Sequence, residues 1–201
     1  MLKKALTSKP AMNNNFYTDD DDSFQAKIDY ATKGYPCKIR LGSKPSDTEL
    51  GTKEKPYRIY VAGPWFDDRS QKLYDAIVWI CNRYKQPNME FFFPRENYSE
   101  TPMDAYKLNV KNIRKCDEVI ALVHTKDSGT AWEIGMATAL KKKITMVGYD
   151  SSSFLSHTNV MLAFSGKPIT LAKLADHIYN GNYGKDNSSL VDIPNTWEGK
   201  E

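Results

Sequence analysis

The sequence predicts an α/β fold: a doubly wound parallel sheet of about five strands, with helices on both faces. The prediction rests on two observations. Between residues 57 and 180, short apolar runs alternate with longer stretches whose apolar residues recur at helical spacing. The short runs are apolar at nearly every position, as in strands of a parallel sheet that is covered on both sides.

The first half of this region contains two predicted strands and two predicted helices. The first strand, Arg58–Ala62, is ended by Gly63-Pro64, and helical spacing of apolar residues then predicts a helix over Asp68–Arg83. Glu90–Pro94 is a short aromatic run bounded by proline, so it is predicted to be a buried strand. Met103–Arg114 is predicted to be the second helix.

The second half continues the alternation. Glu118–Val123 is a near-continuous apolar strand, and Thr130–Lys142 is predicted to be the helix that follows it. Lys143–Gly148 and Pro168–Thr170 are the last two predicted strands, and Leu171–Tyr179 is the last predicted helix. The order of these units is the pattern that builds a parallel sheet.

Two segments flank this domain. Residues 1–56 form an N-terminal extension with asparagine and aspartate runs and poor apolar periodicity, so we expect it to be partly disordered or docked on the core. Residues 181–201 form a polar C-terminal tail. The catalytic domain is therefore expected over residues 57–180.

Composition and charge narrow the function classes. The 201 residues include 28 basic and 25 acidic ones, a net charge of +3 that is evenly mixed along the chain and does not favour a nucleic-acid binder. No apolar run approaches the roughly 20 residues of a membrane span. The basic N-terminus lacks the apolar segment of a secretory signal. A cytoplasmic protein without membrane contact is expected.

Cysteine and histidine are few and widely spaced. They are Cys37, Cys81, Cys116, His124, His157 and His177. An odd number of distant cysteines predicts neither a disulfide framework nor a zinc site, and no histidine forms a ligand pair with another histidine or with a cysteine. Metal chemistry and Cys-His nucleophilic catalysis are therefore not expected.

Ligands of a parallel sheet bind beyond the carboxyl ends of its strands. This rule selects three stretches, 63–69, 94–98 and 126–133. None of them contains Gly-x-Gly-x-x-Gly or Gly-x4-Gly-Lys-Ser/Thr. A dinucleotide or triphosphate site of the usual kind is therefore not expected.

Two carboxylates in the third stretch indicate glycosyl transfer. Asp127 lies on a loop and Glu133 in the first turns of the next helix, so both should project into one crevice. One carboxylate can attack an anomeric carbon while the other protonates the leaving group, and the helix N-terminus should keep Glu133 ionised. A structural interpretation competes, because Thr130–Glu133 matches a capping box and Asp127–Gly129 matches ordinary turn chemistry.

The residues of the first strand and its loop also have two interpretations. Tyr60 fits a core tyrosine as well as a catalytic one. Trp65 and Phe66 fit a small hydrophobic cluster as well as a platform on which a base stacks. Asp68 and Arg69 fit a solvated helix start.

Four segments together resemble one enzyme family. They are Tyr60–Gln71, Asn112–Asp117, Asp127–Ala137 and Asn159–Met161. In this order and at these distances they resemble the nucleoside 2-deoxyribosyltransferases, over about residues 57–179. The resemblance implies a flavodoxin-like sheet.

The resemblance also implies roles for four residues. The glutamate matching Glu133 attacks C1′ of a 2′-deoxyribonucleoside and forms a covalent ester, from which a second base takes the sugar with retention of configuration. The aspartate matching Asp127 helps to protonate the departing base, and the tyrosine matching Tyr60 orients the nucleophile. The asparagine matching Asn159 reaches the 5′-hydroxyl of a sugar in a neighbouring subunit, so a homo-oligomer is expected.

Further residues are expected to bind the substrate. They are Trp65, Phe66, Asp68, Asn97, Asn109, Gly129, Asn159 and Met161. Trp65 and Phe66 would form a wall of the base pocket, with Asp68 near them. The implied partners are 2′-deoxyribonucleosides and free nucleobases, and no metal or organic cofactor is implied.

The sequence departs from the family pattern in two places. Asn109 stands where many members carry an aspartate, and an amide cannot act as an acid. The segment around Asn97 and Tyr98, where the family often has a base-reading glutamine, has no clear counterpart.

Two rival functions stay open. One is an N-glycoside hydrolase of deoxynucleoside 5′-monophosphates, whose phosphate would need hydroxyls such as those of Ser151–Ser153 and Ser156. The other is a non-catalytic nucleoside-binding module, since fold alone does not guarantee chemistry. The long N-terminal segment and Asn109 are the features that favour the second rival.

Overall fold

Five parallel strands form one sheet in the computed structural model, which describes residues 50–97, 99–123, 127–148 and 160–179. The strands are β1 (Tyr57–Ala62), β2 (Met89–Phe92), β3 (Glu118–Leu122), β4 (Lys143–Gly148) and β5 (Lys167–Thr170). The helices are α1 (Asp68–Tyr84), α2 (Pro102–Lys115), α3 (Ser128–Ala139), α4 (Val160–Ala163) and α5 (Leu171–Tyr179). The strand order is β2-β1-β3-β4-β5, and every pairing is parallel. The predicted α/β class, the doubly wound parallel sheet and the flavodoxin-like order are confirmed.

Both faces of the sheet are covered, because successive residues of a strand point to opposite sides. In β1, Ile59 and Val61 belong to the apolar cluster that includes α1 and α5. Tyr60 and Ala62 belong to the cluster on the other face, with α2 and α3. The strand order reverses between β1 and β3, and in sheets of this kind such a reversal is where a ligand crevice forms, at the carboxyl edge.

The helices that start at the carboxyl edge begin with polar caps. Asp67, Thr101 and Asp127 are the N-caps of α1, α2 and α3. Each side chain accepts a hydrogen bond from a backbone N–H of the first turn, which would otherwise have no partner within the helix. The caps therefore fix where each helix leaves this edge.

The second strand differs from its prediction as a buried strand. β2 ends at Phe92, and Phe91 and Phe92 are only partly buried. β2 pairs with β1 alone because it lies at the edge of the sheet. An edge position leaves one side of a strand uncovered, which the apolar run itself does not reveal.

The third helix begins and ends earlier than predicted. It starts at Ser128, after the cap Asp127, and ends at Ala139. Lys141 then adopts a left-handed conformation with φ 55. The N–H groups of Lys141 and Lys142 donate back to carbonyls of the last turn at 3.0 and 2.9 Å, which is the usual way to close a helix through a left-handed residue.

A buried carboxylate lies near the amino edge of the sheet, away from the crevice. Glu118 is fully buried, and its Oε1 accepts a hydrogen bond from the Thr145 hydroxyl at 2.6 Å and lies 3.0 Å from Nε2 of His177. Its Oε2 accepts a hydrogen bond from the Tyr57 hydroxyl at 3.0 Å. Burial and this carboxylate raise the pKa of Tyr57 far above its usual range. The cluster joins β1, β3, β4 and α5.

The chain just before β1 is attached to the domain. Leu50 packs against the core, and its N–H donates to Oε1 of Gln86 at 3.2 Å. The rest of the predicted N-terminal extension, residues 1–49, and the predicted tail, residues 181–201, lie outside the described residues. In the described part of the chain, no helix is long and apolar enough to span a membrane.

Candidate active site

The crevice between β1 and β3 brings two of the predicted catalytic residues into contact. The Tyr60 hydroxyl donates a hydrogen bond to Oε1 of Glu133 at 2.5 Å. Tyr60 comes from β1 and Glu133 from α3, 73 positions later. The fold therefore creates this pair, which no local pattern in the sequence could form.

Tyr60 is held rigidly and stays protonated. It is fully buried, and its ring stacks on that of Phe92 with 5.6 Å between centroids and 18° between planes. Burial, followed by the adjacent Glu133 carboxylate, raises the pKa of Tyr60 far above its usual range. The hydroxyl is therefore a permanent hydrogen-bond donor to Glu133 at ordinary pH.

The Glu133 carboxyl group titrates near neutral pH. Burial raises the pKa of Glu133 to about 7, the hydrogen bond from Tyr60 opposes this rise, and the charge of Asp127 adds to it. The expectation that the helix N-terminus keeps Glu133 ionised is therefore wrong. Glu133 is the sixth residue of α3, beyond the first turn in which the helix dipole acts, so the loss of solvation dominates.

The start of α3 also differs from the predicted capping box. Asp127, and not Thr130, is the N-cap of this helix. The Glu133 carboxylate contacts Tyr60 instead of returning to a backbone N–H at the helix start. The capping-box interpretation of Glu133 is therefore wrong, because its carboxyl group is not used to cap the helix.

Asp127 has a local structural contact as well as an electrostatic effect on Glu133. Its Oδ2 accepts hydrogen bonds from the N–H of Thr130 at 2.6 Å and from the hydroxyl of Thr130 at 2.7 Å. Gly129 is exposed beside this carboxylate, and a Cβ there would lie 3.3 Å from Oδ2. The structure thus brings Tyr60, Asp127 and Glu133 to one end of the crevice.

Aromatic side chains form a wall after β1. The Trp65 ring lies 5.3 Å from the Phe66 ring and 5.8 Å from Tyr74, measured between centroids. Phe66 is 75% exposed, so its ring is open to solvent. Asp68 is exposed in the first turn of α1. The cap of that helix is the preceding residue, Asp67.

Two asparagines expected to bind substrate lie on different elements. The Asn97 amide donates to the Phe93 carbonyl at 2.9 Å, so it takes part in the turn after β2. Asn109 is partly buried in α2. One turn before it, the ring of Tyr106 contacts that of Trp132, the neighbour of Glu133, at 5.7 Å. This contact places α2 beside the part of α3 that carries Glu133.

Of the substrate-binding residues predicted in the segment before β5, the structure describes only Met161. Met161 is 76% exposed in the one-turn α4. Asn159, Tyr98 and the serines at 151–153 and 156 lie outside the described residues. Their predicted contacts with substrate stay predictions.

A group of side chains that no sequence pattern reveals fixes the loop after β2. The Arg95 guanidinium lies 4.8 Å from the centre of the Tyr74 ring and forms an ion pair with Asp75. The Tyr74 hydroxyl donates to the carbonyl of Val61 at 3.1 Å. These contacts connect α1, β1 and the β2 loop behind the aromatic wall. No spacing rule relates residues 74, 75 and 95, so the sequence carries no signal for them.

The described residues offer few ligands for an ion. No group of three or more histidine, cysteine, aspartate or glutamate side chains in this part of the chain is arranged to hold a metal. The groups that the crevice does provide are a carboxyl group with a pKa near 7, a neutral phenol and a second carboxylate. Such a set can supply a nucleophile, a donor that orients it, and a group that moves a proton.

A family profile and several solved structures resemble this chain. The sequence profile described as "Nucleoside 2-deoxyribosyltransferase" matches residues 59–180. The 2-deoxyribosyltransferase from Bacillus psychrosaccharolyticus is 21% identical, with 67% of this chain and 96% of that chain covered and a TM-score of 0.50. The 2-deoxyribosyltransferase from Leishmania mexicana is 25% identical, with 57% and 83% covered and a TM-score of 0.41. A CMP N-glycosidase from Clostridium botulinum is 20% identical, with 62% and 97% covered and a TM-score of 0.44. No curated protein is significantly similar in sequence.

The two kinds of comparison support different conclusions. The likeness to the Bacillus enzyme supports the fold. The profile extends from β1 to the end of α5, spans more than half of the chain, and includes Tyr60, Asp127 and Glu133. Enzymes of this type act on nucleosides and nucleobases as glycosyl transferases or hydrolases. The chain belongs to the nucleoside 2-deoxyribosyltransferase family.

Proposed function

We propose that this protein transfers 2-deoxyribose between purine and pyrimidine bases, with Glu133 as the nucleophile. The observation that supports this most directly is the 2.5 Å hydrogen bond from the buried Tyr60 hydroxyl to Oε1 of Glu133. The pair lies at the carboxyl edge of the sheet, where α/β folds bind their ligands. The family gives the substrate class, nucleosides and nucleobases.

In the first half-reaction, Oε2 of Glu133 attacks C1′ of the bound deoxynucleoside. The C1′–N bond breaks, its electron pair leaves with the base, and a deoxyribosyl ester of Glu133 remains. Tyr60 occupies Oε1, and within the described residues Oε2 accepts no hydrogen bond. The missing 2′-hydroxyl favours this step, because an oxocarbenium-like transition state forms more readily without that electron-withdrawing group.

The departing base needs a proton, whereas Glu133 must lose one before it can attack. With a pKa of about 7, Glu133 carries a proton in about half of the free enzyme molecules at neutral pH. That proton must leave before the carboxylate attacks. We assign protonation of the base to Asp127, which passes on a proton from solvent and whose charge already acts on Glu133. A positioned acid contributes about 10²- to 10⁴-fold to such a step.

In the second half-reaction, a nitrogen of the acceptor base attacks C1′ of the ester. The C1′–O bond breaks, Glu133 regains its carboxylate, and the acceptor base loses a proton to the site. Two displacements at one carbon retain the configuration. The two half-reactions balance with the side chains, the two bases and a proton exchanged with water.

The proposal includes a homo-oligomer in which Asn159 completes a neighbouring site. Exposed apolar side chains on α2 and α3 support an interface there, since such patches usually mark contacts between proteins. Met103, Tyr106 and Trp132 are 58%, 54% and 46% exposed. They lie on the helices that flank Glu133, so an interface there would be close to the catalytic residues.

A base-exchange assay tests the proposed function. Thymidine and adenine are incubated with the wild type, with Glu133→Ala and with Glu90→Ala, an exposed carboxylate of β2. We expect deoxyadenosine and thymine from the wild type and from Glu90→Ala, and background from Glu133→Ala.

The same assay separates the rivals. Release of free base from dCMP or dGMP without an acceptor, and without exchange of thymidine, would identify a hydrolase of nucleotides. Binding of nucleoside that is unchanged in Glu133→Ala, with no turnover by any variant, would identify a binding module. Either result would overturn the proposal.

A further inference from the structure

We propose that Thr130 is a positioning residue that holds one oxygen of the Asp127 carboxylate and thereby leaves the other oxygen to the departing base. The inference rests on the proposed function, in which Asp127 delivers the proton. The two hydrogen bonds from Thr130, from its N–H at 2.6 Å and its hydroxyl at 2.7 Å, both reach Oδ2. Within the described residues, Oδ1 accepts none.

The cap of α1 shows that this arrangement is not a requirement of capping. Asp67 caps α1 with both oxygens: Oδ1 accepts the N–H groups of Arg69 and Ser70, each at 3.0 Å, and Oδ2 accepts the Ser70 hydroxyl at 2.5 Å. Ser70 and Thr130 occupy the same position, three residues after their caps. At α1 the hydroxyl binds the second oxygen, whereas at α3 it binds the oxygen that the N–H already holds.

Burial makes the Thr130 hydroxyl a fixed donor. Thr130 is only 5% exposed, so water does not compete readily for its hydroxyl. A β-branched side chain has a restricted χ1, which keeps the donor in place. A carboxylate held at one oxygen by two donors cannot rotate freely, and Oδ1 therefore keeps one direction.

Gly129 keeps the carboxylate accessible. It is exposed, and a Cβ at this position would lie 3.3 Å from Oδ2 and 3.9 Å from Oδ1 of Asp127. With glycine, the space beside both oxygens stays open. A ligand atom can therefore approach the carboxylate from the solvent side.

This role has a specific kinetic consequence. A base that must gain a proton in order to leave depends on the orientation of Asp127, and small misplacements of a catalytic group cost up to about 10²-fold. A base that leaves as a neutral molecule without protonation, as from a 7-methylated purine deoxynucleoside, does not depend on it. Loss of the Thr130 hydroxyl should therefore slow the first substrate far more than the second.

The test compares single-turnover base release from 2′-deoxyadenosine and from 7-methyl-2′-deoxyguanosine. The variants are Thr130→Val, Thr130→Ala and Thr130→Ser. The control is Thr138→Val, which removes another hydroxyl from α3, one that donates to the Ile134 carbonyl at 2.9 Å. Folding of every variant is checked by circular dichroism.

We expect Thr130→Val and Thr130→Ala to release adenine about 10- to 100-fold more slowly than the wild type, with 7-methylguanine release changed less than about 3-fold. Thr130→Ser, which keeps the hydroxyl but not the restricted χ1, should release adenine at a rate between those of the wild type and Thr130→Ala. Thr138→Val should behave like the wild type with both substrates. Equal slowing of both substrates, no slowing of either, or failure of both Thr130→Val and Thr130→Ala to fold would overturn the positioning role. If the wild type itself releases neither base, the proposed function fails first.

Discussion

Replacing Tyr60 by phenylalanine changes the ionisation of Glu133 while leaving the surroundings intact. Tyr60→Phe removes only the hydroxyl that donates to Oε1 of Glu133 at 2.5 Å. The ring that stacks on Phe92 is kept, so the fold should be preserved. The hydrogen bond favours the charged form of the carboxyl group and holds its pKa down against burial. Without it, the pKa of Glu133 must rise.

The size of the effect follows from the hydrogen bond. A bond to an ionised group contributes about 1.5–3 kcal/mol, and 1.36 kcal/mol corresponds to a change of one in pKa. The pKa of Glu133 in the variant should thus lie roughly 1 to 2 above its value of about 7. At pH 7 the ionised fraction would fall from about a half to between a tenth and a hundredth, which lowers kcat/KM about 5- to 50-fold.

The assay is the pH dependence of kcat/KM for base exchange, which reports groups of the free enzyme. Wild-type activity should rise with pH through a midpoint near 7, as Glu133 loses its proton. The Tyr60→Phe midpoint should be higher, so that much of the loss at pH 7 is recovered near pH 10. A Tyr60→Phe profile with the wild-type midpoint, whether or not its activity is lower, would show that this hydrogen bond does not control the ionisation of Glu133.

Three further predictions follow from the described contacts. Because burial raises the pKa of Glu133 from 4.5 to about 7, the folded wild type should lose stability as the pH rises through this range. In urea unfolding, the free energy of unfolding of Glu133→Gln should exceed that of the wild type by up to about 3 kcal/mol at pH 8, but not at pH 4. A gain at pH 8 no larger than that of the exposed Glu90→Gln would contradict this. Glu118→Ala should cost about 3–5 kcal/mol, because it removes a fully buried carboxylate from its hydrogen-bonded partners, His177 among them. Glu90→Ala, at an exposed ion pair, should cost less than about 1 kcal/mol, and similar costs for both variants would disprove the contrast. Tyr106→Glu should reduce the oligomer to monomers in light scattering coupled to gel filtration, since the ring is 54% exposed on the proposed interface; an unchanged mass would place the interface elsewhere.

The order of strands and helices can be predicted from the sequence because the inner strands are apolar throughout. β3 and β4 are buried at nearly every position, and α1 has a clear helical period. The exposed side of β2 depends on its place at the edge of the sheet. α4 is a single turn of four residues, too short to show a period. The end of α3 depends on a left-handed lysine, Lys141, where no glycine marks the turn.

The members of the site can be predicted by resemblance, but their chemical state cannot. Tyr60 and Glu133 are far apart in sequence, and no spacing rule joins them. The pKa of Glu133 depends on its enclosure by the fold, which the helix-start argument ignores. The hydrogen bonds of Thr130 to a single oxygen of Asp127 are set by side-chain geometry. A sequence motif shows which residues are present, but not which of their atoms form hydrogen bonds.

Trapping the sugar on the protein shows directly whether Glu133 is the nucleophile. Wild type, Glu133→Gln and Glu90→Gln are mixed with thymidine in the absence of an acceptor base, quenched with acid, and analysed by intact mass and peptide mapping. We expect one deoxyribosyl group on the wild type and on Glu90→Gln, located on Glu133, and none on Glu133→Gln. A sugar attached to another side chain, or base exchange by the wild type with no adduct at any quench time while Glu133→Gln stays active, would contradict it.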